Sequence, residues 1–223
     1  MSSRKELKEL RAVNRRRQNY IVVGIIALSA FLFTGAIILP SLLKKNIAII
    51  ERPQADYTSM GDKNAKVKVE EFSDFQCPHC GQFALTTESA YVEKYVETGK
   101  VYFTFVPFSF MGEASVKSAE AAYCAADQGK FWEYRDQIFG SQLSGDRSSL
   151  NRSGFISFAQ TVKLEMGSFE ECIDNGIHND KVMNDIAYAQ SKGVNATPYF
   201  IVNGALVDSS QLEAAIETAL QAN

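Results

Sequence analysis

The segment Phe72-Ser73-Asp74-Phe75-Gln76-Cys77-Pro78-His79-Cys80 decides how the rest of the chain is read. It continues an alternating run, Val67 to Phe72, whose β-branched start reads as a strand. Pro78 suits the first position of a helix, where a missing N–H costs nothing. Two cysteines at i and i+3 then lie on one side of the first helical turn, able to close a small disulfide or reopen to a dithiol. The nucleophile in thiol exchange is the thiolate, and a helix N-terminus favours it through unpaired N–H groups and the positive end of the dipole. Cys77 is thus the exposed N-terminal sulfur, Cys80 the resolving thiol a turn inward, and His79 a donor or positive charge beside the sulfur.

Outward from this segment, a helical stretch is expected to run to Thr98. Phe83, Tyr91 and Tyr95 share a stripe, with Leu85, Val92 and Val96 beside it, and Gly99 is a natural stop. Val101 to Val106 reads as a second strand, closed by Pro107. A strand, helix and strand with a crossover of this length imply a parallel, right-handed unit. From Glu113 to about Val182 the pattern is helical, divided by glycines and by the polar stretch from Ser144 to Arg152. A further helix ends near Lys192. Tyr199 to Val202 then reads as a strand turning through Asn203-Gly204 into Ala205 to Val207. Ser209 or Ser210 is expected to cap a last helix, Gln211 to Leu220. The fold class is therefore α/β, two halves separated by a helical block at about 113–192.

The N-terminus is of another kind. Residues 1–19 are basic, and Tyr20 to Leu43 are 24 residues without a charge. As a helix these would cover roughly 36 Å, more than the ~30 Å hydrocarbon layer. The basic residues before this run outnumber Lys44, Lys45 and Arg52 after it, which keeps the N-terminus in the cytoplasm. The expectation is a single-pass, cell-membrane protein with an uncleaved anchor at 20–43, a linker at 44–60, and an extracytoplasmic domain from 61 to 223. A cleaved signal peptide is the rival reading, but its apolar region is normally about 7–15 residues. A net charge of −3 and the lack of a basic stripe in the body of the chain argue against nucleic acid as a partner.

Four cysteines outside the cytoplasm can persist as disulfides. Of three possible pairings, the short spacing favours Cys77 with Cys80, leaving Cys124 with Cys172. The second pair reads as a structural disulfide, with free buried thiols as the alternative. A zinc site would need ligands from His79, His178, Cys124 and Cys172 without a second CxxC, so neither metal nor cofactor is expected. Trp132, Phe131, Tyr134 and Phe139 read as core, and His178 as solvated. Phe108, Phe110 and Met111, after the second strand, fit either core packing or an apolar surface for unfolded chains.

The segment from Phe72 to Cys80 resembles the active-site stretch of the DsbA-like branch of the thioredoxin superfamily, the bacterial envelope thiol oxidases. Gly61 to Ala65, Ala121 to Phe139, and Ala196 to Gly204 extend the resemblance from about residue 61 to the C-terminus. It implies a thioredoxin fold with an inserted helical block. It also implies thiol–disulfide oxidoreductase activity, with Cys77 and Cys80 catalytic and with Pro78 and His79 as the dipeptide associated with oxidants. Thr197-Pro198 falls where the family has a cis-proline loop facing the cysteines. Glu71 falls where a buried acid often assists proton transfer at the resolving cysteine; an exposed glutamate is the alternative. The partners implied are reduced or unfolded secreted proteins as substrates and a quinone-linked membrane protein as reoxidant, with the chain itself a monomer. A reductase or isomerase, and a non-enzymatic membrane-bound holdase, are the competing functions.

Overall fold

In a computed structural model, the structure describes residues 52–143 and 147–222, together with Gly24. The expected basic N-terminus, the anchor at 20–43 and most of the linker lie outside the described residues. Among the described residues no helix is long and apolar enough to cross a membrane.

Five strands form one sheet in the order β1-β3-β2-β4-β5. These are β1 (Ser59–Met60), β2 (Val67–Ser73), β3 (Val101–Pro107), β4 (Tyr199–Val202) and β5 (Ala205–Asp208). β2 and β3 run parallel, with Val67 opposite Val101 and Ser73 opposite Pro107, while the other pairs are antiparallel. The parallel pair needs a crossover, and the helix over 78–96 (α1) supplies it. In α1, α-helical turns at Pro78–Gln82 and Glu88–Tyr91 alternate with wider π turns at Phe83–Thr87 and Val92–Val96.

Alternation along β2 divides the two faces of the sheet. Val67 and Val69 point into the main core with Ala84, Val92, Tyr95 and Val96 of α1, and with Leu212 and Ile216 of the last helix, α7 (Leu212–Gln221). Phe72, Val106 and Ile201 form a second cluster with Ala189 and Val194. The helical block between β3 and β4 consists chiefly of α2 (Glu113–Ala126), α3 (Phe131–Leu143), α4 (Arg152–Thr161), α5 (Met166–Asp174) and α6 (Asn179–Ser191). Phe131, Trp132, Tyr134 and Phe139 are all buried on α3.

Three local expectations change. The domain takes up the chain before residue 61: β1 pairs with β3, and Arg52 is inserted into the interior, so 52–60 packs on the domain and is no linker. Gly61 then turns the chain at φ +93°, where a Cβ would meet the Val101 carbonyl oxygen at 2.7 Å. At α7 neither serine side chain caps. Asp208 accepts from the N–H groups of Ser210 and Gln211 at 2.8 and 3.2 Å, because the carboxylate sits one position before the serines. His178 is not solvated; its Nε2 lies 2.7 Å from Asp127 Oδ2.

Cys124 and Cys172 are joined in a disulfide that ties α2 to α5 across a separation of 48 residues. Closing such a loop stabilises the folded chain by about 4 kcal/mol on the chain-entropy account. Changing both residues to alanine should therefore lower the melting temperature by calorimetry while leaving thiol exchange intact. Loss of turnover in a variant that is still folded would mean that the two cysteine pairs pass electrons to each other.

Candidate active site

Cys77 ends the turn after β2 in an extended conformation, and Pro78 opens α1 behind it. The Cys77 carbonyl accepts from Gly81 N–H at 3.2 Å, which fixes the first turn. Both cysteines are thiols here. Cys77 keeps 6% of its surface exposed and Cys80 none, the order expected of an attacking and a resolving sulfur. Facing them, Thr197-Pro198 forms a cis peptide bond at the head of β4, and Cys77 Sγ lies 3.4 Å from the Thr197 carbonyl oxygen. A cleft of about 400 Å³ adjoins this junction, lined by residues that include His79, Phe83, Thr197, Pro198 and Ser210.

The two thiols titrate far apart. Cys77 is lowered to about 5, chiefly because the Cys80 thiol donates to it. Burial opposes this, while Thr197 and the backbone N–H groups of Cys80 and His79 add to it. Cys80 is pushed well above an ordinary thiol, first by burial and then by the neighbouring Cys77. A thiolate on Cys77 beside a retained proton on Cys80 is the resting dithiol state. His79 thus acts on the sulfur through its main chain, and its ring belongs to the cleft.

Glu71 is fully buried, sharing the inward face of β2 with Val67, Val69 and Ser73. Its Oε1 accepts from the Ser73 hydroxyl, whereas Oε2 has no hydrogen-bond partner among the described residues. Burial, with the charge of Glu88 adding to it, raises the carboxyl to about 8 against the pull of Arg135. The Ser73 hydroxyl also lies within hydrogen-bond reach of Cys80.

Beneath Glu71 lies a cluster that the sequence did not announce. Arg135 holds both oxygens of Glu88, at 2.6 and 2.9 Å, and Asp136 Oδ1 at 2.9 Å. Arg52 reaches Glu88 at 2.7 Å and Asp136 at 3.3 Å. All four side chains are buried. Two cations balance two carboxylates, so Glu71 is the third acid, and burial keeps it neutral. The Arg135 guanidinium also lies 4.7 Å from the Trp132 ring centroid.

Among the described residues, Cys124, Cys172 and His178 come within metal-ligand spacing of one another. The two sulfurs are already bonded to each other, and a disulfide offers no thiolate to a cation.

A family model described as thioredoxin matches residues 54–222. Probable disulfide bond formation protein D from Bacillus anthracis is 31% identical over 169 residues, covering 73% of this chain and 78% of that protein. Among solved structures, oxidised BdbD from Bacillus subtilis has a TM-score of 0.68 at 24% identity, covering 79% of this chain and 100% of that one. A thioredoxin-like oxidoreductase from Silicibacter pomeroyi has a TM-score of 0.62 at 28% identity, covering 74% of this chain and 92% of that one.

Proposed function

Because the chain belongs to the thioredoxin family, as a thiol–disulfide oxidoreductase related to disulfide bond formation protein D, we propose that it is a dithiol oxidase whose reactive disulfide joins Cys77 and Cys80. A substrate thiolate attacks Cys77 Sγ of the oxidised enzyme. The Cys77–Cys80 bond breaks, and Cys80 leaves as a thiolate and takes up a proton. A second substrate thiolate then attacks the first substrate sulfur. It forms the substrate disulfide and expels Cys77 as a thiolate; two electrons have passed from substrate to enzyme.

The observation that carries this direction is the thiol of Cys80 donating to Cys77, which lowers Cys77 to about 5. A thiolate so stabilised favours the reduced enzyme, and a couple with a favoured reduced form is oxidising. Glu71, neutral at pH 7, supplies the proton that Cys80 takes up when it leaves. Thr197 and Pro198 hold the substrate backbone across from Cys77. Reduced proteins outside the cytoplasm are the substrates, with residues 20–43 as the membrane anchor and the chain from Arg52 onward as the exchanging domain. A quinone-linked membrane protein restores the disulfide, and the chain works as a monomer.

Changing Cys77→Ser should bring oxidation of a reduced peptide down to the uncatalysed rate, and equilibration with glutathione should give a couple more oxidising than glutathione. A more reducing couple would make the protein a reductase. Suppression of aggregation undiminished by Cys77→Ser, with no exchange in the unaltered protein, would make it a holdase.

A further inference from the structure

Cys124, Cys172 and His178 meet where α2, α5 and the start of α6 come together. The two sulfurs and a ring nitrogen of His178 all lie within 4.8 Å of one another. Cys124 is buried, whereas Cys172 and His178 are half-buried. More than the disulfide holds these three segments in place. Asn179 donates to Glu120 Oε1 at 2.7 Å, which ties the first residue of α6 to α2. Asp127, just past the end of α2, lies 2.7 Å from His178 Nε2. Ile177 N–H donates to the Cys172 carbonyl at 3.2 Å, so the turn that carries His178 folds back onto α5. Gly176 makes that turn at φ +59°. Cys124 also belongs to the main core, with Phe155 and Phe169.

Opening the sulfur–sulfur bond therefore leaves both thiols and the imidazole as near neighbours. The Cα atoms of the two cysteines are 5.9 Å apart. Two thiolates on one tetrahedral zinc ion, each at about 2.3 Å, stand about 3.8 Å from each other. Rotation of the side chains covers that opening without moving either helix.

We propose that Cys124, Cys172 and His178 form a zinc site that exists only when their disulfide is reduced. The site is separate from the exchange at Cys77 and Cys80 and does not depend on the oxidase reading. Its reductant is a dithiol. One thiolate of the dithiol attacks Cys172 Sγ, the less buried sulfur, and Cys124 leaves as a thiolate. The second sulfur of the dithiol then attacks the first, closes the dithiol's own disulfide and expels Cys172 as a thiolate. Two electrons have entered the pair, and the two thiolates balance the charge of Zn2+. Two thiolates and a neutral imidazole suit this borderline-soft cation, whereas calcium and magnesium take oxygen. Asp127 on Nε2 orients the ring for coordination through Nδ1, as a carboxylate behind a metal-bound imidazole does. Water completes the tetrahedron. The two states exclude each other: the oxidised pair ties α2 to α5 covalently, and the reduced pair ties them through zinc.

The test uses the full chain with Cys77→Ser and Cys80→Ser, which removes the other dithiol able to take zinc. After reduction, removal of the dithiol without air, and addition of Zn2+, the protein should keep about one zinc ion per chain through gel filtration. The unreduced protein should keep none. Co2+ in place of zinc should give thiolate charge-transfer absorbance. Adding His178→Gln, whose amide still reaches Asp127 but is a poor zinc ligand, should weaken binding at least about tenfold against a competing chelator. Adding Cys124→Ala should abolish it. Zinc should also raise the melting temperature of the reduced protein, and His178→Gln should lose that rise. If reduction unfolds the chain without metal, zinc should restore its circular dichroism, and failure to do so overturns the proposal. Zinc held equally by the oxidised protein, held as tightly after His178→Gln, or not held after reduction overturns it too.

Discussion

Arg135→Met should destabilise the domain by about 3–5 kcal/mol at pH 7, the cost of leaving a buried charge without its partner. Methionine preserves much of the volume, so the loss is electrostatic in origin. Glu88 shows what is at stake. Burial opposes its charge, but Arg135, with Arg52 behind it, holds the carboxyl below the usual carboxylate range. Such a group contributes stability above its unfolded pKa, near 4.5, and loses it as pH falls through the lower folded value. The deficit of Arg135→Met should therefore be widest at neutral pH and narrow in acid, where Glu88 takes a proton in either protein. Urea titrations across this range would measure it. A deficit under about 1 kcal/mol at pH 7 would mean that the cluster relaxes or admits water once the cation is gone.

Cys80→Ala should move the titration of Cys77 from about 5 most of the way back to an ordinary thiol, by removing the largest contribution to its depression. His79→Ala should move it much less, since the backbone N–H of that residue survives the change. Absorbance near 240 nm against pH reads both variants. The same pairing has a consequence for stability. With Cys77 near 5 in the fold and near 9 without it, this thiol adds stability to the reduced protein as pH rises from 5 toward 9, against the opposite slope of Glu71, which is about 8 in the fold and 4.5 without it. Cys80→Ala should flatten that rise. A larger shift in His79→Ala than in Cys80→Ala would return the imidazole to the role that sequence alone suggested for it.

The elements that could be read from sequence are those with short-range signatures. The β2–α1–β3 unit and the Asn203-Gly204 hairpin each depend on residues close to one another in sequence, whereas the Thr197-Pro198 junction is legible only through the resemblance to the DsbA-like branch. Glu71 could be read halfway: period-two alternation put it on the inner face of β2, but its neutrality depends on what lies beneath. The cluster below it was hidden because its members come from distant segments; Arg52 and Asp136 are 84 residues apart. Taken singly, each charged residue reads as solvated surface. A local sign was the adjacent Arg135-Asp136 pair inside Phe131 to Phe139, where three charges, with Glu133, stand among aromatics. Asp74 was quoted as part of a motif, yet its partners at 110, 111 and 115 appear only when the loop after β3 closes over it.

The inserted side chain of Arg52 makes the domain sensitive to where the chain is severed. A protease acting at residues 47–51 would shed a free domain that keeps its internal charges matched. A cut only a few bonds later, between Arg52 and β1, would leave every strand and both cysteines in place while removing one of the two cations from Glu88 and Asp136. The two products would differ by only a short N-terminal stretch, yet the shorter would be the one prone to unfolding and further digestion. Trimming of the chain from its N-terminal side is thus an event with a sharp boundary, and Arg52 marks it.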